Sequence, residues 1–329
     1  MKLLVVGTGS IGKRHLGNFQ KYFNECDIVD SRQDRIDECN EKFKVRNSYL
    51  SYDEAFEKNE YDLALITLPP HLHLDVAKKA ANKNINLFIE KPLGLNSKGW
   101  NEIAEICKKK NLINYVAYCH RHINYTKNFK EILDSNKFGR ILNVSMKWGS
   151  YLPDWHPWED YRSFYMAKKE LGGGALLDES HGIDLIRYFF GEVKEVFAIV
   201  DKTSELEINS DDHALLTLRM KNNSLIQINF DLVARAPSCK MEVTAENGTL
   251  IWDRVNHKIQ TYDAESKEWN EQSYTKQDFL DMYTNQTKYF VDCLKQVKQT
   301  MIDINDSIKT QDIIDKSFLS AQEKKLIKL

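Results

Sequence analysis

The first 118 residues alternate short apolar runs with amphipathic segments. KLLVV predicts a strand, and Lys13 to Phe23 predicts a helix with Leu16, Phe19 and Phe23 on one face. The same alternation continues through CDIVD, DRIDECNEKF, YDLALITL, HLDVAKKAANK, NLFIE, WNEIAEICKKK and INYVAY. YDLALITL is apolar almost throughout, which is typical of a parallel strand covered on both faces. The pattern therefore predicts a doubly wound parallel sheet, an α/β domain, over residues 1–118.

The pattern changes after residue 118. YTKNFKEILDSNKFG predicts a helix, RILNVSMKW a strand, and LGGGALLDESHGIDLIRYFFG one helix between glycine turns. From residue 192 to about 262 the chain reads as strands joined by Asn-Asn and Asn-Gly hairpin turns, and two helices close it at 278–297 and 306–325. We expect a second, α+β domain at 119–329 with a mostly antiparallel sheet, whose last helix could pack back on the first domain.

Three glycines follow the first strand at the spacing Gly-x-Gly-x-x-Gly. Gly7 allows a tight turn, Gly9 lacks the Cβ that would block a pyrophosphate, and Gly12 lets helix and strand pack closely. The N-terminus of the following helix offers N–H groups to the phosphates. Asp30 ends the next strand, where an acid hydrogen-bonds the adenosine ribose. The alternative is a tight turn with an unrelated acid; we expect a dinucleotide site.

Length and composition limit the class of protein. The chain has 329 residues, 42% hydrophobic and 29% charged, which is typical of a globular protein of two domains. Its formal net charge of −2 favours neither nucleic acid nor an anionic membrane as partner. No apolar run is long enough for a membrane span or a signal-peptide core. The six scattered cysteines form no Cys-x-x-Cys pair, so we expect reduced thiols and a cytoplasmic location.

Two segments carry candidate catalytic groups. Lys91, in the Glu-Lys-Pro segment, follows a strand at the edge where ligands bind in open α/β sheets, and it could donate to a reacting oxygen. The alternative is a surface lysine. Asp178, His181 and Asp184 follow one another in steps of three, which places them along one face of the predicted helix. A histidine beside a carboxylate is an acid/base pair, so His181 is the candidate base; the alternative is a histidine that caps or packs.

The loop DWHPWEDYR concentrates aromatic rings and acids. Trp155, His156, Trp158 and Tyr161 are candidates for a carbohydrate-binding wall, and a loop that packs against another domain or subunit is the alternative. The remaining histidines do not predict a metal site. His71 and His73 do not share a helix face, and the pair around Arg121 has no evident third ligand.

The segments VVGTGSIGKRH, ITLPPHLH, FIEKPLG and GGGALLDESHGID, in this order, resemble the glucose–fructose oxidoreductase / inositol dehydrogenase / MocA-like (Gfo/Idh/MocA) family over nearly the whole chain. The resemblance implies an N-terminal Rossmann domain and a C-terminal domain with a large open sheet. It also implies homo-oligomers, dimers or tetramers, formed through that sheet. One departure is the three-residue step from Asp178 to His181, where many members have four, which puts the substrate-binding role of Asp178 in doubt.

The residue patterns and the resemblance together predict the site residues. The expected catalytic residues are Lys91, His181 and Asp178. The cofactor-binding residues are Gly7, Gly9, Ser10, Ile11, Gly12, Asp30, Arg32, Thr67, Leu68, Pro69, His73, Glu90 and Lys91. The substrate-binding residues are Lys91, Arg121, Trp155, His156, Trp158, Tyr161, Asp178 and His181.

The expected activity is hydride transfer between NAD(P) and a hydroxyl-bearing carbon of a sugar, sugar derivative or cyclitol. Asp30 favours NAD because it would repel a 2′-phosphate, whereas Ser31 and Arg32 would suit one, so NADP stays open. The alternatives are a non-catalytic NAD(P)-binding regulator of the same fold and an NAD-dependent glycosidase. Lys91 together with His181 favours an enzyme, since a regulator needs neither.

Overall fold

The computed structural model describes residues 1–155, 157 and 159–329, which divide into two units. The first unit comprises Met1–Tyr118 and Tyr283–Lys309, and the second comprises Cys119–Met282 and Thr310–Leu329. The segment 283–309 thus belongs to the first unit, whereas the division predicted from the sequence placed all of residues 119–329 in the second domain.

The elements are as follows, in chain order. The helices are α1 Ser10–Phe19, α2 Gln33–Lys42, α3 Tyr52–Lys58, α4 His73–Asn82, α5 Trp100–Lys109, α6 Asn124–Asp134, α7 Ala175–Asp178, α8 Ser180–Phe190, α9 Lys276–Leu280, α10 Met282–Gln296 and α11 Ile304–Glu323. The strands are β1 Lys2–Val6, β2 Glu25–Val29, β3 Ser48–Tyr49, β4 Leu63–Ile66, β5 Asn86–Ile89, β6 Asn114–Val116, β7 Ile141–Tyr151, β8 Val193–Asp201, β9 His213–Met220, β10 Leu225–Asp231, β11 Val233–Ala245, β12 Gly248–Asp253, β13 Lys258–Asp263, β14 Glu268–Ser273 and β15 Ile327–Lys328.

The first unit contains a parallel six-stranded sheet in the order β3-β2-β1-β4-β5-β6. Every residue of β4 is buried, as expected for a strand covered on both faces. The order reverses between β1 and β4, and ligands of such sheets bind at this point beyond the carboxyl ends of the strands. The predicted doubly wound parallel sheet is confirmed.

The segment after α10 completes the core of the first unit. Thr300 donates its hydroxyl to the Asn114 carbonyl at 2.6 Å, and the Ile304 N–H donates to the Asn114 side chain at 2.7 Å. Phe290 and Val291 of α10 are fully buried in the same hydrophobic core as β1, β4 and β5. The chain therefore returns to the edge of the parallel sheet at β6.

The second unit contains a nine-stranded sheet in the order β14-β13-β12-β11-β7-β10-β9-β8-β15. Only β7 and β10 pair in parallel within the described sheet, so the mostly antiparallel prediction is confirmed. Helix α8 packs on the buried face of this sheet so closely that a Cβ on Gly182 would lie 2.4 Å from Phe230 of β10. In the described part of the chain, no helix combines the length and apolarity that crossing a bilayer requires.

Two predicted helices are interrupted in the structure. The single helix predicted for GGGALLDESHGID is wrong, because the chain turns at Glu179 (φ −83°, ψ 24°) between α7 and α8. The predicted helix 278–297 is likewise divided, with Asp281 between α9 and α10. The first interruption matters for the candidate site because it falls between Asp178 and His181.

Candidate active site

The turn between β1 and α1 is shaped by two glycines. Gly7 has φ +98°, and a Cβ there would lie 2.8 Å from the Thr67 carbonyl oxygen. A Cβ on Gly12 would lie 2.0 Å from the Gly7 carbonyl oxygen. Both positions therefore require glycine because of the protein's own packing, as the sequence predicted for the turn and for the approach of helix to strand.

Gly9 has a different environment. The nearest described heavy atom to a Cβ at Gly9 is the Arg35 Nη1, at 3.8 Å, so the chain itself leaves this side open. Gly9 is the N-cap of α1, and among the described residues no side chain caps it and no acid occupies the first turn. Ser10 and Ile11 begin the helix there. An anion such as a dinucleotide pyrophosphate fits this open helix N-terminus.

Asp30 lies at the end of β2 and anchors the glycine turn. Its Oδ2 accepts hydrogen bonds from the Thr8 N–H at 2.8 Å and the Thr8 hydroxyl at 2.9 Å, and its Oδ1 accepts from the Arg32 N–H at 3.0 Å. The Arg32 guanidinium is exposed and paired with Asp34. The Arg35 Nη1 lies 3.9 Å from the Asp30 carboxylate. The predicted ribose contact therefore adds to three hydrogen bonds that the carboxylate already accepts.

The turn after β4 contacts the glycine turn directly. The Thr67 hydroxyl donates to the Gly7 carbonyl at 2.6 Å, and Pro69 immediately precedes the 3₁₀ turn Pro70–Leu72. The fully buried His73 has Nε2 2.7 Å from the Leu68 carbonyl and Nδ1 3.1 Å from the Pro92 carbonyl. Burial lowers the pKa of His73, against smaller opposing contributions from these carbonyls. The ring thus joins the two loops, and direct cofactor contact by its nitrogens would require these bonds to break.

The Glu-Lys-Pro segment begins where β5 ends. Lys91 is half-buried, and Glu90 is 8% exposed. The Glu90 Oε1 lies 2.6 Å from Nε2 of His15 in α1, and its Oε2 accepts the Lys91 N–H at 3.1 Å. Glu90 thus contacts the lysine's backbone, and His15 is a partner that the sequence analysis did not identify. The available signal was a histidine next to Leu16 on the apolar face of α1.

In the second unit, His181 belongs to a stack of rings. It lies parallel to His120, with ring centroids 4.2 Å apart and an interplanar angle of 9°. His120 in turn stacks on Trp148 of β7 at 5.1 Å and 10°. The Arg254 guanidinium lies over the Trp148 ring, 4.9 Å from its centroid. All three rings are buried, so packing fixes the plane of the His181 imidazole.

Asp184 is held by Arg121. The Arg121 Nε and Nη2 donate to its two carboxylate oxygens at 2.9 and 2.6 Å, in a buried bidentate ion pair. Such a pair fixes the 3₁₀ turn Cys119–His122 to α8. Arg121 as a substrate contact therefore stays a prediction, and its observed role is structural. Asp184, one of the two carboxylates predicted to lie beside His181, therefore shares its charge with this guanidinium.

Asp178 ends α7 and accepts a hydrogen bond from the Tyr165 hydroxyl. Because the chain turns at Glu179, Asp178 does not continue the helix that carries His181 and Asp184. The predicted row of three residues on one continuous helix face is therefore wrong. The reason is that the interruption between α7 and α8 replaces a regular turn.

The aromatic loop is described in part. The Trp155 indole N–H donates to the Ser150 hydroxyl at 2.7 Å, and the Tyr161 hydroxyl accepts the Glu207 N–H at 3.2 Å. These bonds hold the Trp155 ring to a serine side chain and the Tyr161 ring to the backbone at Glu207. His156 and Trp158, also predicted to bind substrate, lie outside the described residues.

Cys119, His120 and His181 place potential metal-ligand atoms within 4.8 Å of one another. The lone pair of an imidazole nitrogen lies in the ring plane, whereas an ion shared by two rings stacked 4.2 Å apart would lie off both planes. The geometry is therefore that of stacking, and the absence of a metal site remains a prediction.

Comparison with known proteins identifies the family. Residues 1–118 match the family described as "Oxidoreductase family, NAD-binding Rossmann fold", and residues 126–251 match the "GFO/IDH/MocA C-terminal domain". The chain belongs to the Gfo/Idh/MocA family. This confirms the predicted family, an oxidoreductase activity and NAD as cofactor, with the uncapped N-terminus of α1 as the feature that fits it.

Relatives within the Gfo/Idh/MocA family are similar over most of the chain. Myo-inositol 2-dehydrogenase of Thermotoga maritima is 28% identical over 265 residues, which cover 78% of this chain and 76% of that protein. D-xylose 1-dehydrogenase (NADP(+)) 2 of Haloferax volcanii is 23% identical over 69% of each chain. The structure of a levoglucosan dehydrogenase in complex with NADH has a TM-score of 0.87 at 18% identity, covering 100% of this chain and 98% of the other; it shares the fold.

Proposed function

We propose that this protein is an NAD-dependent dehydrogenase or ketoreductase of a sugar, sugar derivative or cyclitol. The observation that carries the substrate class is the similarity to myo-inositol 2-dehydrogenase across 76% of that enzyme's length. The names of the D-xylose and levoglucosan enzymes agree with it. All three names denote dehydrogenases that act on polyhydroxylated compounds.

The bound nicotinamide would accept or return the hydride. The chain's own residues have three tasks. The N–H groups at the start of α1 bind the pyrophosphate, Lys91 hydrogen-bonds the reacting oxygen, and His181 accepts the proton of the hydroxyl during oxidation. The stack of His120 and Trp148 supports this assignment, because a base whose ring plane is fixed needs little reorganisation before it accepts a proton.

For the cofactor, we propose that NAD is used in preference to NADP. The Asp30 carboxylate is a negative charge at the end of β2, which disfavours a 2′-phosphate. Arg32 and Arg35 are the cations nearby, and each lies beside a carboxylate, Asp34 and Asp30 respectively. The ratio of kcat/KM for the two cofactors tests this preference, and a tenfold or greater preference for NADP would overturn it.

We further propose a homo-oligomer formed through the open face of the nine-stranded sheet. At one edge of that face Phe197, Ile199 and Leu215 are 38%, 54% and 44% exposed, and Ile199 pairs directly with Leu215. At the other edge Trp269 is 54% exposed and packs on Tyr262. A second copy of the chain would bury these apolar side chains. The six cysteines, all buried and without a Cys-x-x-Cys pair, support a cytoplasmic location.

The substrate proposal is tested by following the absorbance of the reduced cofactor. Purified protein is incubated with saturating NAD, or separately NADP, and a panel of free sugars, sugar phosphates, nucleotide-linked sugars and cyclitols. Reduction of NAD by at least one member supports the proposal. Cofactor binding without reduction by any member would instead indicate a regulator, and cleavage of a glycoside without net reduction would indicate a glycosidase.

A further inference from the structure

His15 is a buried histidine at the centre of the nucleotide-binding unit. It is fully buried on α1, which begins at the glycine turn, and it lies beside the core residues Leu16 and Phe19. A histidine among apolar side chains requires a polar partner, because a buried polar group without one is destabilising. Its partner, Glu90, immediately precedes Lys91.

The hydrogen bonds form a chain of three residues. The Nε2 of His15 lies 2.6 Å from Glu90 Oε1, and the Glu90 Oε2 accepts the backbone N–H of Lys91 at 3.1 Å. An ionised carboxylate only accepts hydrogen bonds, so His15 is the donor. Glu90 is thus held at both oxygens, one by helix α1 and one by the lysine's own peptide group.

The His15 ring has one orientation available to it. It meets Phe88 edge-on, with centroids 4.9 Å apart, and makes wider edge contacts with Phe19 and Tyr283 at 6.3 Å each. Within the described residues its Nδ1 is buried and has no hydrogen-bond partner. A proton there would be buried without an acceptor, which favours the tautomer with its proton on Nε2, directed at Glu90.

We propose that His15 is a positioning residue for Lys91. It holds the Glu90 carboxylate, the carboxylate holds the Lys91 N–H, and the direction in which the lysine side chain leaves the end of β5 is thereby fixed. The same helix presents its N-terminus to the cofactor phosphates, so one hydrogen bond connects the cofactor-binding helix to the lysine segment. The inference rests on the proposed function only in that Lys91 contributes to the reaction.

The kinetic test compares three variants. His15→Leu removes the donor while leaving an apolar side chain, and we expect kcat to fall tenfold or more while KM for NAD changes less than threefold. His15→Gln restores an N–H donor, and we expect kcat within threefold of the wild-type value. Phe19→Leu, the matched control, changes packing one turn along the same helix without touching Glu90 and should leave kcat within twofold. Equal losses in all three variants would overturn the inference, because they would indicate packing alone.

A double-mutant cycle tests whether His15 acts through Glu90. Glu90→Gln alone should lower kcat, and adding His15→Leu should cause no further loss, since the link is already broken. If the double variant instead lost kcat by the product of the two single-variant factors, the proposed link from His15 through Glu90 to Lys91 would be contradicted.

Amide hydrogen exchange provides a readout that is independent of activity. By NMR, the Lys91 amide should exchange at least tenfold faster in His15→Leu, with wild-type exchange in His15→Gln and Phe19→Leu. If the wild-type protein oxidised no polyol, the proposed function would fail while this measurement still tested the link. Unchanged exchange of Lys91 in His15→Leu would overturn the inference whatever the activity.

Discussion

Lys91 is the single residue on which the proposed chemistry depends most. Lys91→Met keeps a side chain of similar length and removes the donor. We expect kcat to fall by roughly 10²–10⁴, about 3–5 kcal/mol of barrier, with NAD affinity near the wild-type value. Lys98→Met, at an exposed lysine in the same loop, is the matched control. If Lys91→Met keeps more than a third of kcat while chemistry is rate-limiting, the lysine has no part in the mechanism.

His181 is expected to control the acid side of the pH profile. Only the neutral imidazole can accept the hydroxyl proton, so the rate of oxidation should fall as the ring becomes charged at low pH. His181→Asn should remove that limb from the profile of kcat/KM and slow hydride transfer, which a primary deuterium isotope effect would still reveal. If this variant kept the acidic limb unchanged, another group would be the base, and Lys91 would be the leading candidate.

At the residue scale, the sequence identified the glycines of the turn but not the long-range hydrogen-bond partners. The spacing of the glycines after a strand identifies Gly7 and Gly12, although the atom that lies nearest to a Cβ at Gly7 is the carbonyl oxygen of the distant Thr67. The pairing of Arg121 with Asp184 joins residues 63 positions apart, and that of His15 with Glu90 joins residues 75 apart. Such partners are set by the arrangement of the elements, and no local pattern encodes them.

At the scale of elements, two glycines of the turn between β1 and α1 are expected to serve different purposes. Gly12 is required for packing, and Gly9 is expected to be required for binding the cofactor. Gly12→Ala would place a methyl group 2.0 Å from the Gly7 carbonyl, so it should lower the free energy of unfolding by about 1–3 kcal/mol. Gly9→Ala meets no close contact from the described chain and should leave stability within about 0.5 kcal/mol. It should weaken NADH binding roughly tenfold or more, about 1.4 kcal/mol, as measured by fluorescence titration. Wild-type affinity in Gly9→Ala would show that no phosphate approaches this side.

The strand β2 carries a buried acid that makes stability depend on pH. Burial alone would raise the pKa of Asp27, but hydrogen bonds from Arg46 and Tyr61 outweigh burial and hold this pKa below its usual value. The stabilisation is therefore complete above the unfolded-state pKa, about 4, and is lost as pH falls through the lower folded-state pKa.

Asp27→Asn should accordingly lower the free energy of unfolding at pH 7 by about 2–4 kcal/mol and flatten its decline below about pH 4. Urea unfolding at pH 7, 4 and 3 measures both effects, with Glu57→Gln at an exposed position as the control. A variant as stable as the wild type at pH 7, with the same slope in acid, would contradict this role for the ion pair.

Element boundaries show where local patterns stop being informative. Apolar periodicity in GGGALLDESHGID predicts one helix, yet the chain turns at Glu179, and α8 packs on β10 through Gly182. Tertiary packing thus decides an interruption that helical periodicity does not reveal. The alternating strand LIQINFDL, by contrast, is found as β10 with Ile226, Ile228 and Phe230 buried, because each side chain's face follows from its position alone.

At the scale of the whole molecule, the open sheet face predicts self-association. If a second copy covers Ile199 and Leu215, the double variant Ile199→Lys/Leu215→Lys should shift the protein from oligomer to monomer in light scattering after gel filtration, because it would bury unpaired charge. Leu50→Lys, at an exposed apolar residue of the first unit, should leave the mass unchanged. A wild-type protein that is monomeric at micromolar concentration would contradict the proposed interface.

Residues 283–309 return to the first unit, far along the chain from the rest of it. The alternation of strands and helices predicted the parallel sheet. The hydrogen bonds of Thr300 and Ile304 to Asn114, in contrast, join residues that are almost 190 positions apart or more, and they form only because the segment 283–309 packs against β6. Sequence patterns give no signal for that placement.

Hydride transfer from a polyol to the cofactor can be followed by isotope labelling of the substrate. The protein is incubated with NAD and with myo-inositol, D-xylose or another polyol oxidised in the panel, each carrying deuterium at its carbinol carbons, and the cofactor is analysed by mass spectrometry. We expect deuterium in the reduced cofactor together with a ketone or lactone product. A cofactor that stays oxidised, or becomes reduced without the label, would contradict it.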